Sequence, residues 1–185
     1  LQTAATTTTS GRIQIALVRS ILGNTDAGRS FDEVVGLQYW DEHANAYLSL
    51  SVNQNLLVQN ACHEMFHIID SRVLTMCKAY DDWDALNPKG FEYDHDYIAN
   101  LSREDEQWLS GPERAFIDRY SMSYPREDRA RIMEYAMMDG KEIFFESETM
   151  QKKLHQLCIG IREAFGLKHY SEPLIWEQYL KEPMK

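Results

Sequence analysis

His63-Glu64-Met65-Phe66-His67 sets two imidazoles four residues apart with a carboxylate between them. On a helix, positions i and i+4 stack on one face, so both rings can reach one ion. Glu64 projects beside them, placed to take a proton from a water that the ion activates. This HExxH pattern is the chemistry of a zinc-dependent hydrolase: two metal ligands, His63 and His67, and a general base, Glu64. The plainer reading is two histidines packed on an ordinary helix, which leaves the glutamate between them without a reason. A hydrolytic zinc site takes three protein ligands and keeps one position open for water. The extended form HExxHxxGxxH does not supply the third, because Asp70 and Val73 stand where Gly and His would be. A carboxylate from a later helix is therefore expected.

The elements around the motif follow from periodicity and punctuation. Val34 to Val52 reads as two strands, VVGLQYW and AYLSLSV, joined by a short turn through Asp41 to Asn45. Leu57 to about Lys78 carries Val58, Cys62, Met65, Ile69, Val73 and Met76 at helical spacing, which predicts the helix that holds the motif. Residues 80–112, rich in Asp, Asn, Gly, Pro and aromatics, read as a long loop with short helical turns. At Pro125 a second helix opens, with Glu127 and Asp128 in its first turn and Gly140 as its far cap. Its acids Glu127, Asp128 and Glu134 are the candidates for the third ligand. Lys141 to Gly166 predicts one or two more helices, with Met150, Leu154, Leu157, Ile161 and Phe165 as a core stripe, and Leu174 to Leu180 a short one. Arg12 to Leu22 reads as a first helix and Gly28 to Glu33 as a loop. The fold class expected is α+β, a helical majority with a small sheet or hairpin before the motif helix. Residues 1–11 (LQTAATTTTSG) read as a disordered linker, and 12–185 as a single domain.

The segment Phe116-Ile117-Asp118-Arg119-Tyr120-Ser121-Met122-Ser123-Tyr124-Pro125-Arg126-Glu127-Asp128-Arg129-Ala130 resembles the second motif of gluzincin peptidases of the anthrax lethal factor catalytic-domain type. It is still more similar to the secreted zinc-binding peptidases of bacteria related to them. In those families a Tyr precedes the ligand Glu by seven residues, and the Glu opens an E-[DF]-x-A helix. Tyr120 and Glu127 match that spacing, and the order of strand pair, HExxH and Glu helix extends the likeness over roughly residues 34–140. The resemblance implies a zincin-like metallopeptidase fold with one zinc on His63, His67 and Glu127. It further implies Tyr120 as donor to the oxyanion forming on the scissile carbonyl, a peptide or protein substrate, and a location outside a bacterial cell or on its surface. One departure is clear: those families commonly carry a second acid four residues after the ligand, and this chain has Arg131. On one helical face with Glu127, Arg131 would either compete for it as an ion pair or orient it.

Four further residues or segments could serve such a site. Asp70, three residues after His67, could orient a ligand histidine, cap the helix or pair with Arg72. Cys62 points to the core side with Val58 and Met65 and reads as a packing residue. The strand from Ala46 to Val52 could offer an exposed edge for an extended peptide, or be covered. His95, amid Glu92, Asp94 and Asp96, could bind a second cation, although no calcium-loop spacing is present and a solvated acidic loop is the simpler reading.

Composition bounds the alternatives. In 185 residues, 19 basic against 29 acidic side chains give a net charge of −10, and the longest basic run is Lys152-Lys153. Nucleic acid and anionic membrane surfaces are poor partners for that charge. No apolar stretch approaches the roughly 20 residues needed to span a bilayer. Cys62, Cys77 and Cys158 show no CxxC spacing and do not suggest a disulfide framework. The chain begins at Leu1, as a processed or trimmed chain would; its start lacks the charged-then-apolar layout of a signal peptide, which could have been removed. Two readings compete with an endopeptidase: a zinc-bearing scaffold that has lost the chemistry, and a metal-free helical interaction protein.

Overall fold

A computed structural model describes residues 12–19, 21–24, 30–42, 45–52, 56–97 and 106–184. The expected linker over 1–11 lies outside them. The chain forms a mixed α+β structure of two compact units, residues 1–69 and 70–185, and no helix among the described residues is long and apolar enough to cross a membrane.

The first unit holds the strands. β1 (Ile13–Val18), β5 (Ala46–Ser51) and β4 (Gly36–Trp40) form one sheet in the order β1-β5-β4, while β2 (Ile21–Asn24) and β3 (Ser30–Val34) pair antiparallel in a second. The expected hairpin is present: Tyr39 pairs with Tyr47 and Leu37 with Ser49. Its turn is built by Asp41, whose carboxylate accepts the Asn45 backbone N–H at 2.9 Å, the Asn45 side-chain amide at 2.8 Å and the Tyr47 hydroxyl at 2.9 Å. Ala46, Leu48 and Leu50 are buried while Tyr47 and Ser49 are half-buried, the period-2 signature of a strand with one covered face. Ile68 and Met65 of the motif helix pack on Ala46, Leu48 and Ile13.

Two expectations for this region are corrected, and an open alternative is decided. Arg12 to Leu22 is not a helix, because Ile13, Ile15 and Leu17 alternate with Gln14 and Ala16 and the run pairs parallel to β5, Ile13 with Ala46 through Val18 with Ser51. Gly28 to Glu33 is not wholly loop, since β3 begins at Ser30. The strand from Ala46, read as either an exposed edge or a covered strand, is the covered one: it is the central strand, and β4 takes an outer position beside it.

α1 (Leu57–Met76) is the predicted motif helix. Its inward face is not the predicted apolar stripe, since Val58 is 70% and Met76 53% exposed. The buried set is His63, Phe66, Ile68, Asp70 and Val73. Cys62 is half-buried, and none of the three cysteines forms a disulfide.

In the second unit α2 (Pro125–Ala136) starts as predicted, with Pro125 in its first turn and Tyr124 extended before it, the Tyr124 carbonyl accepting from the N–H groups of Glu127 and Asp128 at 3.0 Å each. Its end differs: Met137 caps it, and Gly140 (φ 71°) turns the chain beyond. α3 (Glu148–Ala164) begins at Ser147, whose hydroxyl accepts the Met150 N–H at 3.1 Å. It buries Met150, Leu154, Leu157 and Ile161 as expected, while Phe165 falls just past its end. At Gly160 an added Cβ would stand 2.8 Å from Val73 and 2.9 Å from Tyr80, so glycine lets α3 approach the last turns of α1. The 80–112 segment contains 3-10 turns at Trp83–Leu86 and Gly111–Glu113, and the expected short helix near the end is a 3-10 turn over Ile175–Glu177.

Candidate metal centre

The spacing of His63 and His67 on α1 does what the sequence requires of it. Their Nε2 atoms stand 3.2 Å apart, with ring planes at 87°. Two nitrogens each about 2.0–2.1 Å from one tetrahedral ion would stand roughly 3.3–3.4 Å apart, so the pair has the separation of two ligands on one centre. Glu127 completes the set: one ligand atom from each of His63, His67 and Glu127 can be chosen so that all lie within 4.8 Å of one another, and no other such group of His, Cys, Asp or Glu occurs among the described residues. His63 and Glu127 are buried and His67 is half-buried. Two imidazoles and a carboxylate fit a divalent ion such as zinc.

The three candidate acids of α2 separate cleanly. Glu134 is fully buried and both of its oxygens accept from Arg131 Nη1, at 2.9 and 2.8 Å. Arg131 also sets its Nε 3.2 Å from Asp118 and its guanidinium 5.0 Å over the Tyr120 ring. Asp128 is fully buried against Lys153, with Nζ 2.7 Å from Oδ2, where the Tyr93 hydroxyl (2.8 Å) and Trp83 indole N–H (3.2 Å) also donate. Burial pushes the Asp128 carboxyl up, against the pull of Lys153, and pushes the Lys153 ammonium down. Glu127 is the acid that joins the histidines. The cation on it is not the predicted Arg131 but Arg126, whose Nε donates to Oε1 at 3.1 Å from a side chain 60% exposed.

Asp70 serves a different partner from any of those expected. It receives Arg129 in a two-pronged, buried ion pair, Nε on Oδ1 at 2.7 Å and Nη2 on Oδ2 at 2.9 Å. Burial works against the Arg129 charge, but its bonds to Asp70 prevail and hold the guanidinium above its ordinary value. Glu64 lies against β4: a Cβ on Gly36 would stand 2.6 Å from its Cγ and 2.7 Å from its Oε1. A lone glycine inside a strand pattern is the sequence signal for such a close approach.

Tyr120 opens a 3-10 turn (Tyr120–Met122) and stacks on Tyr97, with centroids 5.5 Å apart at 24°. Tyr97 in turn donates its hydroxyl to Glu127 Oε1 at 3.2 Å. Nothing in an aromatic-rich loop distinguished Tyr97 from its neighbours in the sequence. At His95 the backbone N–H donates to the Ser123 carbonyl at 2.9 Å, the backbone carbonyl accepts the Tyr124 hydroxyl at 2.5 Å, φ is 55°, and the imidazole meets the Tyr124 ring edge-on at 5.2 Å. Comparison with protein-family models, curated proteins and solved structures gave no match for this chain.

Proposed function

We propose that this chain is a zinc-dependent endopeptidase of gluzincin type, with His63, His67 and Glu127 holding the ion and Glu64 acting as general base. The observation that carries the reading is the 3.2 Å approach of the two Nε2 atoms, with His63, His67 and Glu127 each offering a ligand atom within 4.8 Å of the others. The intact HExxH set and the Tyr-x6-Glu-Asp-x-Ala segment support it from the sequence.

When bound, zinc supplies Lewis acidity to a water and to the scissile carbonyl. Glu64 takes a proton as the water oxygen attacks the carbonyl carbon, and returns it to the amine as the C–N bond breaks. The missing side chain at Gly36 gives the Glu64 carboxylate its room. Tyr120 donates its hydroxyl to the oxyanion. The substrate is an extended peptide; β1 and β4 are the outer strands of the sheet, and β4, whose Gly36 lies against Glu64, is the one to meet it. The resemblance to secreted bacterial peptidases supports an activity outside the cell or on its surface.

The test is zinc per chain in protein purified without added metal, with Glu127→Ala alongside, followed by a peptide-library digest with Glu64→Gln. About one zinc in the parent, clear loss in Glu127→Ala, and cleavage abolished in Glu64→Gln with zinc retained is the expected result. A folded parent that holds no zinc after reconstitution sinks the reading. Zinc binding with no cleavage by parent or variant would leave a zinc-bearing scaffold in its place.

A further inference from the structure

We propose that Tyr97 is a positioning residue for Glu127, its hydroxyl fixing the carboxylate in the orientation that receives the metal. The inference rests on the metal-site reading and adds a residue that the sequence pattern does not single out.

Proton accounting fixes the direction of the contact. Arg126 Nη2 donates to the Tyr97 oxygen, and a guanidinium has no acceptor. The single phenolic hydrogen is therefore left for the other neighbour, Glu127 Oε1, at 3.2 Å. Arg126 Nε closes the triangle on that same oxygen at 3.1 Å. Oε1 thus takes two donors from separate side chains, which restricts rotation of the carboxylate about its last bond. The Tyr97 ring is held for this task, tilted against Tyr124 (4.5 Å, 41°) and stacked on Tyr120 (5.5 Å, 24°). Tyr124 is the residue that opens α2, so one side chain touches the start of the ligand helix, the ligand carboxylate and the proposed oxyanion donor. Groups that hydrogen-bond a metal ligand from behind typically change affinity by about tenfold to a hundredfold.

The test compares parent, Tyr97→Phe and Tyr124→Phe. Tyr97→Phe keeps the ring and removes only the hydroxyl; Tyr124→Phe removes a hydroxyl bound to the His95 carbonyl. Zinc affinity is measured by competition with a chromophoric chelator, the visible spectrum of the cobalt(II)-loaded proteins is recorded, and unfolding of the metal-free proteins is followed by heat. Tyr97→Phe should weaken zinc binding by roughly tenfold to a hundredfold and shift the cobalt bands, with metal-free unfolding as in the parent. Tyr124→Phe should keep the parent's affinity. Equal affinity and an unchanged cobalt spectrum in Tyr97→Phe overturn the inference, as does an equal loss in both variants, which would mark general packing. A parent that binds no zinc brings down the metal site itself, a failure distinct from either.

Discussion

Lys153→Met should strongly destabilise the second unit, and the reason is a charge left behind. Lys153 and Asp128 have no exposed side-chain surface, and their charged atoms stand 2.7 Å apart. Lys153 also donates to the Ala115 carbonyl at 2.8 Å and lies 3.9 Å over the Phe116 ring. Methionine fills nearly the same volume, so little of the cost is cavity. What remains is a buried carboxylate that keeps only Tyr93 and Trp83 as donors, and breaking such a pair from one side costs about 3–5 kcal/mol. Urea unfolding of parent and variant gives the difference. Acid should shrink it. Burial already pushes the Asp128 carboxyl up, and without Lys153 its folded value stands further above the unfolded one. A group raised in this way binds more protons folded than unfolded, so stability rises as pH falls through the folded value. Adding Asp128→Asn to Lys153→Met removes the charge yet leaves a carbonyl for Tyr93 and Trp83, and should recover all but about 1–2 kcal/mol. A loss below about 1 kcal/mol in Lys153→Met, or one that stays constant from neutral to acid pH, would refute the reasoning.

Two further outcomes follow from single contacts. Gly36→Ala pushes a methyl to within 2.6 Å of Glu64 Cγ, which should cost about 1–3 kcal/mol by overpacking; truncating Glu64 to Ala in the same chain should remove that cost, and additive losses in a urea cycle would disprove the contact. Glu177 is buried, which works against its charge, but Arg162 (2.6 and 2.8 Å) and the Leu174 N–H (3.0 Å) outweigh burial and hold its carboxyl below the usual range. A depressed carboxyl contributes stability above its unfolded value, about 4.3, that is lost as pH falls through the folded one. Limited proteolysis should therefore begin to cut the 167–180 segment as pH drops below about 4, and a segment still protected at about pH 2 would count against the pair.

What could be read from the sequence was local. The β4–β5 hairpin, α1 and the start of α2 follow from alternation, 3.6-residue spacing and a proline, each contained in a short window. β1 escaped because its strand character is settled by pairing with Ala46 to Ser51, 33 residues away, a partner no window contains. The inward face of α1 was misread for a different reason. Apolar periodicity assumes that the buried face is apolar, yet His63 and Asp70 occupy it and Val58 and Met76 turn outward. Glu127 came from spacing and resemblance. Tyr97, and the Lys153 that holds Asp128, did not, because those contacts join positions whose closeness exists only after packing; Arg126 is next to Glu127 in the chain, but adjacent side chains on a helix do not face each other, so spacing gave no reason to pair them.

The run Glu127-Asp128-Arg129 buries three consecutive charges, and each side chain leaves the helix in its own direction. Replacing buried ion pairs by apolar residues of similar volume is often neutral or stabilising, so stability alone gives no reason to keep them. Position does. Asp128 is fixed to α3 through Lys153, and Arg129 is fixed through two bonds to Asp70, on the same helix as the HExxH set and three residues past His67. A two-pronged guanidinium–carboxylate pair constrains both distance and rotation, which an apolar contact does not. The residue just before those two anchors is then left with little freedom of its own, and that residue is Glu127. Under the proposed metal-site reading, the ion pairs flanking Glu127 limit how far its place on α2 can shift, and ligand positions are held to within about 0.5 Å. Removing either should loosen metal binding even where the fold survives.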